Sequence, residues 1–197
     1  MNSCAQCLAD GSPLHQCRTL LRYEADLRRL IPAFKQPSGT LGPAPEVTRA
    51  IDHLLDAFAN HLAKEAPTGI PGVDLITSLP LHPRRLRRRG FNQADLLAKR
   101  IADARCLPFM HNILTRIHDT LPQASLTGEA RRHNVQGAFA ARLPRPNLRI
   151  AVVDDVLTTG SSLAAAADAL LEAGALEVVG ITLAATLPAR ARRPQMR

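Results

Sequence analysis

Apolar residues in the first third of the chain predict two helices. Residues 24–34 have apolar side chains at helical spacing, and residues 46–65 continue the same period over a longer stripe. The intervening stretch QPSGTLGPAP is rich in Pro and Gly, which is typical of a loop. The first 22 residues show little periodicity, so we expect a short ordered knob or a tail there.

The rest of the chain alternates apolar runs of strand length with helical patterns. The predicted elements are strands over 73–81, 148–153 and 177–186 and helices over 93–104 and 162–173. Asn92 is a suitable N-cap and Gly174 a suitable C-cap for these two helices. Weaker strand signals lie near Ile113 and Phe139. This strand–helix–strand order predicts an α/β fold with a parallel sheet and right-handed crossovers.

The composition fits a globular protein with an anionic partner. Of 197 residues, 46% are hydrophobic and 21% charged, which excludes wholesale disorder. The net charge of +8 and isoelectric point near 10.3 favour nucleic acid or a polyphosphate compound. Arginine supplies most of this charge, which codon composition alone can also produce. With no Trp and one Tyr, the chain offers little aromatic surface for stacking on bases.

The cellular location is predicted from what the sequence lacks. The chain shows no secretory signal pattern and no apolar run long enough to cross a bilayer. We therefore expect a cytoplasmic protein without a membrane span. Four cysteines fit a reducing compartment. The sequence leaves the oligomeric state open.

The stretch IAVVDDVLTTGSS at 150–162 carries the strongest chemical signal. If the strand ends at Val153, a turn can aim Asp154 and Asp155 into the crevice at the carboxyl end of the sheet. Two carboxylates there suit ribose hydroxyls or a divalent cation. The following hydroxyl residues, Gly160 and helix start form a cradle for a phosphate. The alternative is a capped helix with surface aspartates, whereas P-loop and dinucleotide-binding motifs are missing.

These residues resemble a known signature. VVDDVLTTGSSL is similar to the phosphoribosyl-diphosphate motif of type I phosphoribosyltransferases, and residues 4–186 resemble the ComF family, a branch of that fold associated with DNA uptake. The stretches SLPLHPRRLRRRGFNQADLLA, RRHNVQGAF and YEADLRRLIPAFK support the narrower assignment. The resemblance implies a site for ribose and 5′-phosphate formed by Asp154, Asp155, Val156, Leu157, Thr158, Thr159, Gly160 and Ser161.

The resemblance also implies roles for the arginine-rich stretch after the first core strand, which we expect to be a loop. The diphosphate would lie against Leu81, His82, Arg84 and Arg85. Arginine suits this task because its planar guanidinium binds phosphate oxygens in pairs. The remaining candidates for a lid or a nucleic-acid contact are Arg87, Arg88, Arg89, Arg131 and Asn134. A solvated basic loop and plain disorder are the respective alternatives.

The cysteines raise the question of zinc. Cys4 and Cys7 form half of a zinc site, and Cys17 with His15 would complete it at an unusual spacing. The ComF family often carries two Cys-x-x-Cys pairs, of which CAQCLAD resembles the second, so a Zn²⁺ site would be truncated or eroded here. Cys106 is expected to be a small core residue.

The sequence thus predicts three segments: a degenerate or truncated zinc-ribbon-like segment at 1–22, a phosphoribosyltransferase-like domain at 23–190 with a small helical N-terminal element, and a basic tail at 191–197. By resemblance, the protein would bind 5-phosphoribosyl 1-diphosphate with Mg²⁺. If it is an enzyme, Asp154 and Asp155 would assist a nitrogen nucleophile that displaces diphosphate. No residue stands out as a general base. The rival reading is a non-catalytic competence factor that binds single-stranded DNA or partner proteins.

Overall fold

A computed structural model of the chain describes residues 12–38, 42–64, 72–118 and 137–186. The strands are β1 (Gln16–Arg22), β2 (Leu75–Ser78), β3 (Leu114–Arg116), β4 (Phe139–Ala141), β5 (Arg149–Leu157) and β6 (Glu177–Ala185). The helices are α1 (Leu27–Phe34), α2 (Pro45–Lys64), α3 (Pro83–Arg89), α4 (Gln93–Arg105) and α5 (Ser161–Glu172).

Four strands form a parallel sheet in the order β1-β6-β5-β2. Strands β3 and β4 pair separately as an antiparallel ribbon. The predicted α/β class, with a parallel sheet and flanking helices, is confirmed. The three strands and two helices predicted beyond residue 72 are all present. Asn92 caps α4 as predicted, since its side chain accepts a hydrogen bond from Ala94 N at 3.2 Å.

Two apolar layers cover the faces of the sheet. On one face, Ile150 and Val152 pack in a layer with α5 and the β3–β4 ribbon, represented by Leu163 and Phe139. On the other face, Ala151 and Val153 lie in a layer with residues of α1, α2 and α4. These central side chains are fully buried, since strands covered on both faces bury each successive residue.

Strand β1 is an element that the sequence pattern did not predict. Its seven residues are QCRTLLR, and Cys17 is the only one of them that is fully buried. Their order shows neither the alternation of a half-buried strand nor the continuous apolar run of a central one. The strand pairs in parallel with β6, from Gln16 opposite Val179 to Arg22 opposite Ala185. This pairing joins residues about 160 positions apart, and no local pattern encodes it.

The expectation that the arginine-rich stretch is a loop is wrong, because residues Pro83–Arg89 form helix α3. Pro83 occupies the first turn, where its missing N–H is no loss, and His82 Nδ1 accepts a hydrogen bond from Arg84 N at 3.3 Å. Gly90 ends the helix in a left-handed conformation, with a φ of 81°. Both end signals stand in the sequence around a run of good helix formers.

The expected end of the central strand at Val153 is also wrong, since β5 continues to Leu157. Its register with β6 passes from Asp154 opposite Thr182 to Val156 opposite Ala184. The acid pair therefore lies within the last third of the strand rather than in a turn beyond it.

Cys106 is exposed, not a core residue as expected. It ends α4 in a left-handed conformation with a φ of 52°. A small side chain just beyond a helix end can lie at the surface or in the core. The sequence alone does not distinguish these two environments.

Candidate functional site

A cavity of about 570 Å³ lies at the carboxyl ends of β2 and β5. The acid pair of β5 and the loop after β2 line it from the sheet, and α1, α3 and the start of α4 line it from the sides. Ligands of open parallel sheets bind at this edge, where the loops after the strands converge. The fold thus brings the predicted acidic and basic segments to one place.

The two aspartates reach the cavity through a change of phase in β5. Up to Val153, even-numbered residues pack on the α5 side and odd-numbered ones on the other side. Beyond the acid pair the order reverses, because Leu157 packs on the α5 side and Val156 on the opposite side. Strict alternation would separate the adjacent carboxylates across the sheet. The reversal at Asp154 and Asp155 lets both side chains line the same cavity.

Asp155 is held by a lysine from the N-terminal helical element. Its side chain is buried, with 8% of the residue exposed, and its Oδ2 lies 2.7 Å from Lys35 Nζ. Lys35 follows the last residue of α1, so this ion pair ties α1 to the edge of the sheet. Asp154 turns its own Oδ1 toward the backbone and accepts a hydrogen bond from Asp155 N at 2.8 Å.

The environment of Asp154 disfavours its charge. Burial, followed by the adjacent Asp155 carboxylate, raises the pKa of Asp154 from 3.8 to about 8. The hydrogen bond from Asp155 N and the positive charges of Lys35 and Arg116 oppose this shift without cancelling it. Hydroxyl groups or a cation brought by a ligand would compensate the charge, which is why the pair suits such a ligand.

The turn after β5 divides its residues between cavity and scaffold. Thr158 and the next helix's Ser162 line the cavity, whereas Thr159 Oγ1 and Ser161 Oγ are hydrogen-bonded to each other at 2.9 Å. Gly160 precedes α5 with a φ of 76°, a conformation that a side chain strains. Among the predicted phosphate-site residues, Leu157 is instead a core residue, 2% exposed.

Helix α3 sorts its five arginines onto two faces. Arg85 and Arg89 are half-buried, one turn apart, and line the cavity. Arg84, Arg87 and Arg88 are exposed on another face of the helix. For Arg89, burial lowers the pKa, while the nearby Asp155 carboxylate raises it. Of the expected diphosphate residues, the structure puts Leu81 and Arg85 at the cavity and uses His82 to cap the helix.

Lys35, Gln93 and Arg116 line the cavity and are among the site residues that the sequence did not predict. Arg116 is 7% exposed, lies 5.5 Å above the Phe139 ring, and donates a hydrogen bond from Nε to His118 O at 3.4 Å. It lines the cavity beside Asp154. Gln93 and Lys35 both lie within stretches that resemble the ComF family, which is the signal that the sequence offers for them. Arg116 reaches the site only through tertiary contacts.

A buried network fixes the loop that carries α3. Asn92 Nδ2 donates to Leu79 O at 3.2 Å and to Asp95 Oδ1 at 2.9 Å, and Ser78 Oγ donates to the same carboxylate oxygen. The network joins the end of β2 to the first turn of α4. Because both ends of the intervening segment are fixed, the cavity-lining arginines of α3 are positioned by the sheet.

Several predicted residues lie outside the described part of the chain. They are Cys4, Cys7, Arg131 and Asn134. Cys17 is fully buried in β1, and within the described residues no cluster of three potential metal-ligating side chains occurs. The zinc site and the lid therefore stay predictions. None of the described helices is long and apolar enough to cross a membrane.

Fold and cavity together define a parallel α/β protein in which an acid pair and a basic helix face one cavity at the edge of the sheet. The chain matches no family model. It is 35% identical to the DNA utilization protein YhgH of Salmonella typhi, over 93% of this chain and 84% of that protein. It is 37% identical to competence protein F of Haemophilus influenzae, over 89% of this chain and 75% of that protein. The chain belongs to this family, the ComF family.

The adenine phosphoribosyltransferase of Leishmania tarentolae superposes with a TM-score of 0.45 and 14% identity, over 89% of this chain and 93% of that chain. The sheet order itself, rather than this superposition, establishes the parallel α/β fold described above.

Proposed function

We propose that the protein binds 5-phosphoribosyl 1-diphosphate with Mg²⁺ in the cavity at the carboxyl ends of β2 and β5. The observation that carries the proposal is the arrangement of opposite charges: Asp154 and Asp155 on one wall, and Arg85 and Arg89 on another. A ligand that combines hydroxyl groups with a polyanionic group matches both walls. The signature around the acid pair, and membership of the ComF family, point to the same ligand.

Each part of the ligand has residues of suitable chemistry. The carboxylates of Asp154 and Asp155 would accept hydrogen bonds from the ribose hydroxyls, and Thr158 with the start of α5 would hold the 5′-phosphate. Arg85 and Arg89 would bind the diphosphate oxygens. Mg²⁺ fits a site in which burial and the adjacent Asp155 disfavour the charge of Asp154, because a bound cation would compensate that charge, and when bound it would neutralise the diphosphate as a leaving group.

If the bound sugar reacts, the transfer is a substitution at C1. The C1–oxygen bond breaks, diphosphate leaves with the electron pair, and a nitrogen atom of the acceptor forms the new bond and releases its proton to water. The chain's own contribution is to orient the ribose through Asp154 and Asp155 and to hold the leaving group through Arg85 and Arg89. The acceptor stays open.

Calorimetry with Mg²⁺ and 5-phosphoribosyl 1-diphosphate tests the proposal. We expect saturable, Mg²⁺-dependent binding by the intact protein, and loss of that binding in the Asp154→Asn, Asp155→Asn double variant. Asp103→Asn is the matched control, because Asp103 is exposed and paired with Lys99 on α4. The proposal fails if the unaltered protein does not bind, or if the double variant binds as well as the control.

A second candidate is a role in DNA utilization or competence, with single-stranded DNA or proteins of the uptake machinery as partners in the cytoplasm. The names of the relatives support it, since one is a DNA utilization protein and another a competence protein. The exposed side of α3 supports it too, because Arg84, Arg87 and Arg88 form a basic strip that the cavity does not use. Such a strip fits a phosphate backbone without reading its sequence.

Salt dependence of oligonucleotide binding tests this second function. Replacing Arg84, Arg87 and Arg88 by Ala should lower the slope of log affinity against log salt by about 2, at roughly 0.7 per lost phosphate contact. A control with Arg49, Arg142 and Arg145 replaced by Ala removes the same charge from other exposed positions. Equal slopes in the two triple variants would exclude α3 as the DNA-binding surface.

A further inference from the structure

Gln93 has a buried hydrogen-bond donor without a partner at the wall of the cavity. It is the first residue of α4, it lines the cavity, and only 2% of it is exposed. Its Oε1 accepts a hydrogen bond from Arg89 Nη1 at 2.5 Å. Its Nε2, by contrast, is shielded from solvent and has no hydrogen-bond partner among the described residues.

A buried amide nitrogen without a hydrogen-bond partner destabilises the folded state at this position. Ala94, Leu97 and Ala98, which follow in α4, are buried and apolar, so a Met or Leu at 93 would fit the chemistry of the layer without a desolvation penalty. Buried polar side chains nearly always have partners, and exceptions call for an explanation. The bond to Arg89 satisfies the oxygen only, so it does not account for the amide hydrogens.

The position of Gln93 identifies what the missing partner would be. Arg89, whose guanidinium is bonded to the Gln93 oxygen, lines the same wall of the cavity as Arg85. The Gln93 amide needs one acceptor oxygen, and the two neighbouring guanidinium groups favour an acceptor that carries negative charge and further oxygens. A diphosphate has both properties, whereas a ribose hydroxyl can accept a hydrogen bond but carries no charge.

We propose that Gln93 is a ligand-recognition residue that donates a hydrogen bond from Nε2 to an oxygen of the diphosphate. The inference rests on the proposed function, since it assigns one residue to one part of that ligand. A diphosphate held by Arg85 and Arg89 would lie beside the Gln93 amide to which the Arg89 guanidinium is bonded. One of its oxygens would give the Gln93 nitrogen an acceptor.

Binding of three probes by variants of the intact protein tests this assignment. The probes are 5-phosphoribosyl 1-diphosphate with Mg²⁺, inorganic diphosphate with Mg²⁺, and ribose 5-phosphate. Gln93→Met preserves volume and removes the donor, so we expect the Kd for the two diphosphate compounds to rise about tenfold. The Kd for ribose 5-phosphate should not change, and the melting temperature should stay level or rise, because the unpartnered donor is gone.

Two further variants make the test specific. Gln93→Glu keeps an acceptor for Arg89 but adds a negative charge, so it should weaken diphosphate binding more than Gln93→Met does. It also serves if Gln93→Met does not fold. Gln16→Met is the matched control, because Gln16 begins β1 at the amino edge of the sheet, away from the cavity. It should bind all three probes like the unaltered protein.

The outcomes separate the inference from the function on which it rests. If the unaltered protein binds none of the probes, the proposed function fails and the inference with it. If it binds 5-phosphoribosyl 1-diphosphate and the Gln93 variants bind all probes equally well, the function stands and the inference is overturned. Equal weakening toward all three probes also overturns it, since that result means a general effect on the cavity.

Discussion

At the scale of single residues, the acid pair explains how adjacent like charges are tolerated. Asp155 has a direct cationic partner in Lys35, at 2.7 Å, while Asp154 is left with a backbone N–H and more distant positive charges. One carboxylate is thus compensated and the other is not. Burial and repulsion from Asp155 raise the pKa of Asp154 to about 8. Both predictions at this scale follow from that asymmetry.

Asp154→Asn should stabilise the protein at neutral and alkaline pH. Between its ordinary pKa of 3.8 and about 8, the folded state keeps a proton that the unfolded state releases, so folding stability falls as pH rises through this window. An amide resembles the protonated acid and removes this dependence. We expect the free energy of unfolding to increase by roughly 1–2 kcal/mol at pH 8, with the difference narrowing toward pH 4.

Urea denaturation at a series of pH values measures this effect. Asp103→Asn serves as the control, because Asp103 is exposed on α4 and paired with Lys99. A difference between Asp154→Asn and the unaltered protein that is constant from pH 4 to pH 8.5 would show that Asp154 titrates normally.

Lys35→Met should destabilise the protein through the partner that it leaves behind. Asp155 is mostly buried, and without the ammonium group it would lose its direct counter-ion and keep only more distant positive charge such as Arg89, at an expected cost of about 1–3 kcal/mol in unfolding free energy. In the Asp155→Asn background most of this loss should disappear. A double-mutant cycle measures the coupling. The exposed Lys99–Asp103 pair provides the comparison, for which the same cycle should give under about 0.5 kcal/mol.

At the scale of elements, end signals were more informative than the composition between them. Asn92 and the helical pattern beyond it agree in predicting the helix over 93–104, whereas the arginine-dense stretch that forms α3 is expected to be a loop. Pro83 and Gly90 bracket that run and would have identified the helix. The distinction matters for the site, since only a helix separates Arg85 and Arg89 from the exposed arginines.

Comparing the two N-cap residues, Asn92 and His82, tests how much the buried hydrogen-bond network behind the cavity contributes to the free energy of unfolding. Asn92 is 7% exposed, caps α4 and also donates to Leu79 O, so Asn92→Ala should lower the unfolding free energy by about 2–3 kcal/mol. His82 caps α3 at the surface, and His82→Ala should cost only about 0.5–1 kcal/mol. Thermal or chemical denaturation distinguishes the two. Equal losses would mean that the buried bonds of Asn92 add nothing to its capping role.

At the scale of the whole molecule, the features that the sequence predicts rest on local patterns, and the features that it misses rest on long-range contacts. The parallel sheet, its alternation with helices and the acid pair at its edge follow from patterns within about 15 residues. Strand β1 and the Lys35–Asp155 ion pair depend on contacts across more than 100 residues, and the change of phase in β5 is visible only in the packing of the folded sheet. Periodicity does not carry such information, because edge-strand pairing and charge partners are chosen by the folded context.

The contact between β1 and β6 offers a test of this long-range architecture. A Cβ added at Gly180 would approach Cys17 Sγ to 3.1 Å and Leu163 Cδ1 to 3.5 Å, joining β1, β6 and α5 at one point. Gly180→Ala should therefore cost about 1–3 kcal/mol in unfolding free energy through overpacking.

Combining Gly180→Ala with Cys17→Ala should recover much of that loss, since it removes the sulfur that the new methyl group meets. The two single variants and the double variant, compared by urea denaturation, give the coupling energy. If the losses simply add, Cys17 does not face Gly180 and β1 is not paired as described.

The Cys17→Ala variant also tests whether Cys17 is a zinc ligand. Because the Cys17 sulfur packs between β1, β6 and α5, we expect the zinc content of the purified protein to be unchanged in Cys17→Ala. A lower zinc content would show that Cys17 binds the metal.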